Sequence, residues 1–194
     1  GDRSYGTDPA AVAELSAARI RGLQSHGVAA CAKHFPGLGA VPRDPHRELP
    51  TITLGWDAME RVHLPPFRAA IHADVAMVMS SHVCYPALGD PPGLPATFSS
   101  GLIRDLLRKR MGFPGLVLTD DLEMGALGRF GAMEELAVRA TEAGHDLLLI
   151  CSDPSRAKEA FISLRKAYDD KRLDISDLEA TASRLSHLRK KFLL

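Results

Sequence analysis

The chain has 194 residues, 45% of them hydrophobic and 25% charged, with Lys plus Arg and Asp plus Glu balanced at 24 each. These proportions suit a folded unit with a real core, and they exclude a disordered chain or one that binds nucleic acid or an anionic membrane through excess positive charge. No apolar run reaches the ~18 residues of a membrane span, and three cysteines without metal-type spacing fit a reducing compartment.

In chain order, Asp8-Pro9 starts a helix that runs to about Ser25, with Val12, Leu15 and Leu23 on roughly one face and Gly27 ending it. The apolar stretch VAACAKHF then predicts a short strand ending in Lys33-His34, followed by a loop too rich in Pro and Gly for helix or strand. Helix is expected again over 56–73, interrupted at Pro65-Pro66, and a second strand over VAMVMSSH, 75–82. Ser99 or Ser100 caps a helix to Arg110 that places Leu102, Ile103, Leu106 and Leu107 on one face. The third strand, GLVLTDD, ends in paired aspartates, and a small-residue helix over 132–143 leads to a fourth strand, DLLLIC. Asp153-Pro154 opens a helix with Ala157, Phe161, Leu164 and Tyr168 in one stripe. The last helix has Ser176 and Glu179 at capping-box spacing and a stripe of Ile175, Leu178, Ala182, Leu185, Leu188 and Phe192.

Strands that are apolar throughout and alternate with helices predict a parallel sheet covered by helices. Polar residues gather where each strand ends, at Lys33-His34, Ser80-Ser81-His82, Thr119-Asp120-Asp121 and Cys151-Ser152-Asp153, which is where barrels and open α/β sheets build their sites. A complete (β/α)8 barrel takes about 250 residues, so four strands suggest half of one, either a piece of a longer enzyme or a small open sheet in its own right: a single partial domain over residues 1–194 with two unpaired sheet edges open to association.

Three groups of residues could carry chemistry. Asp44 and His46, two apart on the Pro-rich loop, are spaced for a carboxylate to orient an imidazole that moves protons near neutral pH; the alternative is a solvated surface histidine. Asp120 at a strand tip could be a nucleophile, a general base or a metal ligand, with Asp121 capping the next helix and Met124 lining core or pocket. His34, His46, His82 and Asp120 could together hold a divalent metal, although no His-x-His or Glu-x-x-His spacing supports it. Gly37 and Gly39 lack the surroundings of a phosphate loop.

The blocks RSYGTDP, KHFPGLG, DPHRELP and TDDLEM, in this order and with LPATFS before the last, resemble the bacterial β-N-acetylhexosaminidase branch of glycoside hydrolase family 3. The resemblance runs from Arg3 to about Asp153 and implies the C-terminal half of a (β/α)8 barrel whose N-terminal half is absent. It further implies a retaining glycosidase, without cofactor or metal, acting on N-acetylglucosamine-terminated glycans such as peptidoglycan-derived muropeptides in cytoplasmic cell-wall recycling. By the same resemblance Asp120 is the nucleophile, His46 the acid/base and Asp44 its orienting partner, while Arg3, Lys33 and His34 bind sugar hydroxyls. Leu38 and Pro45 depart from the family's histidine and serine, and Pro45 stiffens the loop around His46. A missing half-barrel, with a further substrate-binding aspartate, implies a weakly active or inactive fragment. A family 3 β-glucosidase, a phosphorylase, a metal-dependent α/β hydrolase and a non-catalytic sugar-binding fragment are the competing readings.

Overall fold

A computed structural model describes residues 4–41 and 49–192. Its centre is one sheet of four parallel strands in the order β1 (Cys31–Phe35), β2 (Met77–Ser80), β3 (Leu116–Asp121) and β4 (Leu147–Leu149). Strand order equals chain order, as in a barrel built by successive right-handed β/α crossovers. The sheet does not close: among the described residues β1 and β4 each pair on one side alone. The expected half-barrel arrangement is therefore present, with each strand shorter than the apolar run that announces it.

Among the described residues six α-helices accompany the sheet: α1 (Pro9–Gln24), α2 (Trp56–Ala58), α3 (Leu64–His72), α4 (Met133–Ala143), α5 (Pro154–Asp169) and α6 (Ile175–Phe192). Asp8 caps α1 by accepting the Ala10 N–H at 3.1 Å, and Pro9 occupies a first-turn position that has no helical partner to lose. The buried side of α1 is Ala17 and Ile20, whereas Leu15 is exposed, so the expected apolar face is rotated. Gln24 ties the end of this helix to the sheet, its amide donating to the Asp74 carbonyl and accepting the Ala76 N–H, both at 2.8 Å.

Pro65 and Pro66 do not interrupt their helix. They lie in the first turn of α3, after a wide π-type turn over Met59–His63 in which the Leu64 N–H reaches the Met59 carbonyl, so neither missing N–H is needed. The helix over Gly101–Arg110 is also wound in the π pattern; Ser99 caps it by accepting the Leu102 N–H at 3.0 Å, and Leu102, Ile103, Leu106 and Leu107 are buried as their spacing predicts. Asp174, whose carboxylate accepts the Ser176 N–H, caps α6 in place of Ser176.

The main core joins Ile20, Phe35, Phe67, Val78, Ile103, Leu107 and Val117 between α1, α3, the π helix and one face of the sheet. On β2, Val78 and Ser80 are buried while Met77 and Met79 are half-covered, the period-two signature of a sheet covered more fully on one side. The expected stripes of α5 and α6 stay largely open: Phe161 is 67% exposed, Ile175 57% and Leu178 42%. Phe161 and Leu178 line, with Leu148 and Ile150 of the β4 region, a cleft of about 600 Å³ between β4, α5 and α6.

Below the sheet Asp146, its side chain 1% exposed, accepts hydrogen bonds from Arg108, Arg184 at 2.6 Å, Thr181 at 2.7 Å and the Val117 N–H at 2.7 Å. These bonds tie α6 and the π helix to β3. Among the described residues no helix is long and apolar enough to cross a membrane.

Candidate active site

The site lies at the carboxyl ends of β1, β2 and β3. His34 leaves β1 and Asp120 leaves β3, and their side chains meet across β2 with Nε2 3.5 Å from Oδ2. Both strands break register there: the β1–β2 ladder shifts between Lys33 and Phe35, and the β3–β4 ladder between Leu118 and Asp121. Such irregularities re-aim a side chain at a strand end. Thr119 fills the gap in the second ladder, its hydroxyl oxygen accepting the Leu149 N–H at 3.0 Å.

The two acidic residues of TDD play different parts. Asp120 is partly open, its side chain 27% exposed, with Oδ1 accepting the N–H of Asp121 at 2.9 Å. Asp121 turns back, Oδ1 accepting the Glu123 N–H at 3.1 Å; it closes the turn after β3 instead of capping a helix. Glu123 is 9% exposed in its side chain and accepts the N–H groups of Ser152 and Asp153, which fastens this turn to the start of α5. Met124 is 44% exposed, so it is not core.

His82, weighed in the sequence as a metal ligand, is buried with both ring nitrogens engaged: Nδ1 is 2.6 Å from the Thr97 hydroxyl and Nε2 is 2.9 Å from the Asp121 carbonyl. Burial pushes its pKa below the usual imidazole value, against an opposing pull from the Asp121 carbonyl and the Asp120 and Asp121 carboxylates. No group of three or more His, Cys, Asp and Glu side chains among the described residues could hold a metal ion.

The Pro-rich loop is held at both ends by the segment after β2. At its start the Tyr85 hydroxyl donates to the Gly37 carbonyl at 3.0 Å, and the Ser81 N–H donates to Phe35. At its end the Cys84 N–H donates to the Pro50 carbonyl at 2.8 Å and the Ile52 N–H to the Cys84 carbonyl at 2.9 Å. Leu38, where the resembling family has histidine, packs on the main core. Lys33 is exposed beside His34. Arg3, Asp44, Pro45 and His46 lie outside the described residues.

Comparison with known proteins adds the family. The family model described as "Glycosyl hydrolase family 3 N terminal domain" matches residues 1–188. The chain belongs to glycosyl hydrolase family 3. Within that family it is 39% identical over 193 residues to a protein named beta-hexosaminidase from Nitrosomonas eutropha, covering 98% of this chain and 55% of the relative. A family 3 β-N-acetylglucosaminidase from a Paenibacillus species superposes with a TM-score of 0.94 at 42% identity, over 98% of this chain and 36% of its own. NagZ from Neisseria gonorrhoeae, solved with N-trifluoroacetyl-D-glucosamine, does so with a TM-score of 0.79 at 36% identity, over 97% of this chain and 50% of its own. The chain thus spans about half the length of the curated relative. That share agrees with a sheet of four strands instead of a closed barrel of eight.

The sequence signal foresaw Asp120 and His34 at one end of the sheet but missed Tyr85, Thr97 and Glu123, which hold the loop root, His82 and the turn after β3. Tyr85 and Thr97 are polar residues in otherwise apolar surroundings; burial, invisible in the sequence, distinguishes them.

Proposed function

We propose that the protein is a retaining β-N-acetylhexosaminidase that removes terminal N-acetylglucosamine from glycans. The observation that carries this reading is the Asp120 carboxylate, partly exposed at the tip of β3 and held 3.5 Å from the His34 ring. A carboxylate so placed can attack an anomeric carbon while an imidazole beside it engages the sugar. The names of the family 3 relatives support the same substrate class.

In the first step an Asp120 oxygen bonds to the anomeric carbon as the glycosidic C–O bond breaks, and the His46 imidazolium gives its proton to the leaving oxygen. In the second, neutral His46 takes a proton from water, whose oxygen attacks the anomeric carbon and frees Asp120. Asp44 orients His46, and a neutral imidazole avoids a second anion beside the nucleophile. Lys33, His34 and Arg3 grip sugar hydroxyls. The substrate class extends to peptidoglycan-derived muropeptides in a cytoplasmic recycling role.

The free edges of β1 and β4 are completed by further parallel strands that supply the rest of the pocket wall, so this chain alone turns over weakly or not at all. The test is hydrolysis of an aryl N-acetyl-β-glucosaminide by this chain and by the polypeptide lengthened to the extent of its relatives. In the longer form Asp120→Ala and His46→Ala should each lose turnover, with azide restoring product formation to the Asp120 variant. Parent-like rates in either variant remove that residue from its role, and parent-like turnover by residues 1–194 alone removes the need for further strands.

A further inference from the structure

The segment Ser81 to Tyr85 serves the nucleophile as well as the loop, and His82 is the link. A carbonyl can only accept, so the 2.9 Å contact between His82 Nε2 and the Asp121 carbonyl requires the proton on Nε2. A neutral ring then has an acceptor at Nδ1. Thr97 has one hydroxyl proton and two acceptors in reach, His82 Nδ1 at 2.6 Å and the Ser81 carbonyl at 3.0 Å. Burial keeps the ring neutral, so Nδ1 of the Nε2–H form can only accept; Thr97 turns its proton mainly to Nδ1, leaving the Ser81 carbonyl the weaker share, and thereby pins the tautomer that holds β3.

The groups facing the ring explain why it does not simply swap protons. Thr97 and Ser81 cover Nδ1, the exit of β3 with Asp120 and Asp121 covers Nε2, and burial disfavours a charged ring against the opposing pull of those two carboxylates. With His82 grasping the Asp121 carbonyl and the Asp121 N–H bonded to Asp120 Oδ1 at 2.9 Å, Asp121 is fixed at both its carbonyl and its amide. The nucleophile's orientation toward His34 follows from that double hold.

We propose that His82, held as the Nε2–H tautomer by Thr97, is a positioning residue that fixes the exit of β3 and so aims the Asp120 carboxylate. The kinetic part of this inference rests on the hydrolase reading above; the structural part does not. A misaimed nucleophile lowers the chemical step more than substrate binding, by on the order of 10- to 100-fold for a displacement of about an ångström.

Two measurements test it. In this chain, ¹⁵N spectra of labelled histidine at pH 7.5 should show His82 as the Nε2–H tautomer, and Thr97→Val, which removes the hydroxyl while keeping the shape, should mix the tautomers. The ¹³C carboxyl resonance of Asp120 should move in His82→Leu and return in His82→Gln, whose amide can donate to the same carbonyl. In the lengthened polypeptide, His82→Leu should lower kcat about 10-fold or more with KM within about twofold, and His82→Gln should recover most of the loss. An Nδ1–H ring in the parent chain overturns the proposal, as does an Asp120 resonance indifferent to both Thr97→Val and His82→Leu. A rise in KM with kcat unchanged overturns it too. If the parent protein hydrolyses nothing, the hydrolase reading fails, while the two spectra still decide the role of His82.

Discussion

His145 makes the stability of this protein depend on acid in a calculable way. It is wholly enclosed beneath the sheet, with Nδ1 donating to the Ala140 carbonyl at 3.0 Å and Nε2 accepting from the Ser80 hydroxyl at 2.8 Å. Burial is the main cause that lowers its pKa from 6.5 to about 4, partly offset by the Ala140 carbonyl and Asp146. The unfolded chain therefore takes up a proton near pH 6.5 that the folded chain refuses until about pH 4. His145's contribution is complete above pH 6.5 and is lost as pH falls through that window, at up to about 1.4 kcal/mol per pH unit, or about 3 kcal/mol across it. His82 and His63, whose pKa values burial also lowers, add to the loss with the same sign. The assay is urea denaturation at pH 7.5, 6.5, 5.5 and 4.5 for the parent chain and His145→Asn, which keeps a donor for Ala140 and cannot titrate. The variant should be less stable at pH 7.5, because Ser80 loses its acceptor and a cavity opens, but its stability should fall less steeply with acid. Equal slopes in the two proteins between pH 6.5 and 4.5 would refute the reasoning.

Three further changes probe the frame around the site. Asp146→Asn leaves Arg108 and Arg184 without their buried counter-charge and should cost about 3–5 kcal/mol in chemical denaturation; a loss under about 1 kcal/mol would show that solvent replaces the carboxylate. Tyr85→Phe strips the Gly37 carbonyl of its donor inside the core and should cost about 1–3 kcal/mol, visible as a lower Tm, and an unchanged Tm would mean that the loop root needs no such hold. Gly37 sits at φ 133° with space for a Cβ closed by His63 at 2.9 Å. Gly37→Ala should therefore destabilise by about 1–3 kcal/mol, with His63→Ala in the same chain relieving the contact with the ring but leaving the one with the residue 63 Cβ and the backbone strain; full recovery in the double variant would refute both remaining causes.

The sequence by itself determined the alternation of strands and helices, the parallel sheet, the polar strand tips and the family. These follow from local periodicity, from capping residues such as Asp8 and Asp153, and from short blocks such as KHFPGLG and TDDLEM. It also placed Asp120 and His34 at one end of the sheet, because every strand of a parallel sheet points the same way. Tertiary structure alone decided that their side chains meet across β2, since that depends on two register shifts the apolar pattern does not encode. It alone turned His82 from a possible ligand into a support for β3, and tied Tyr85 to Gly37, because hydrogen bonds between residues distant in the chain leave no periodic trace. The stripe of α6 shows the converse. Its spacing is that of a packed helix, yet Ile175 and Leu178 remain exposed, because burial requires a neighbouring surface, and a helix's own sequence cannot say whether that neighbour is there.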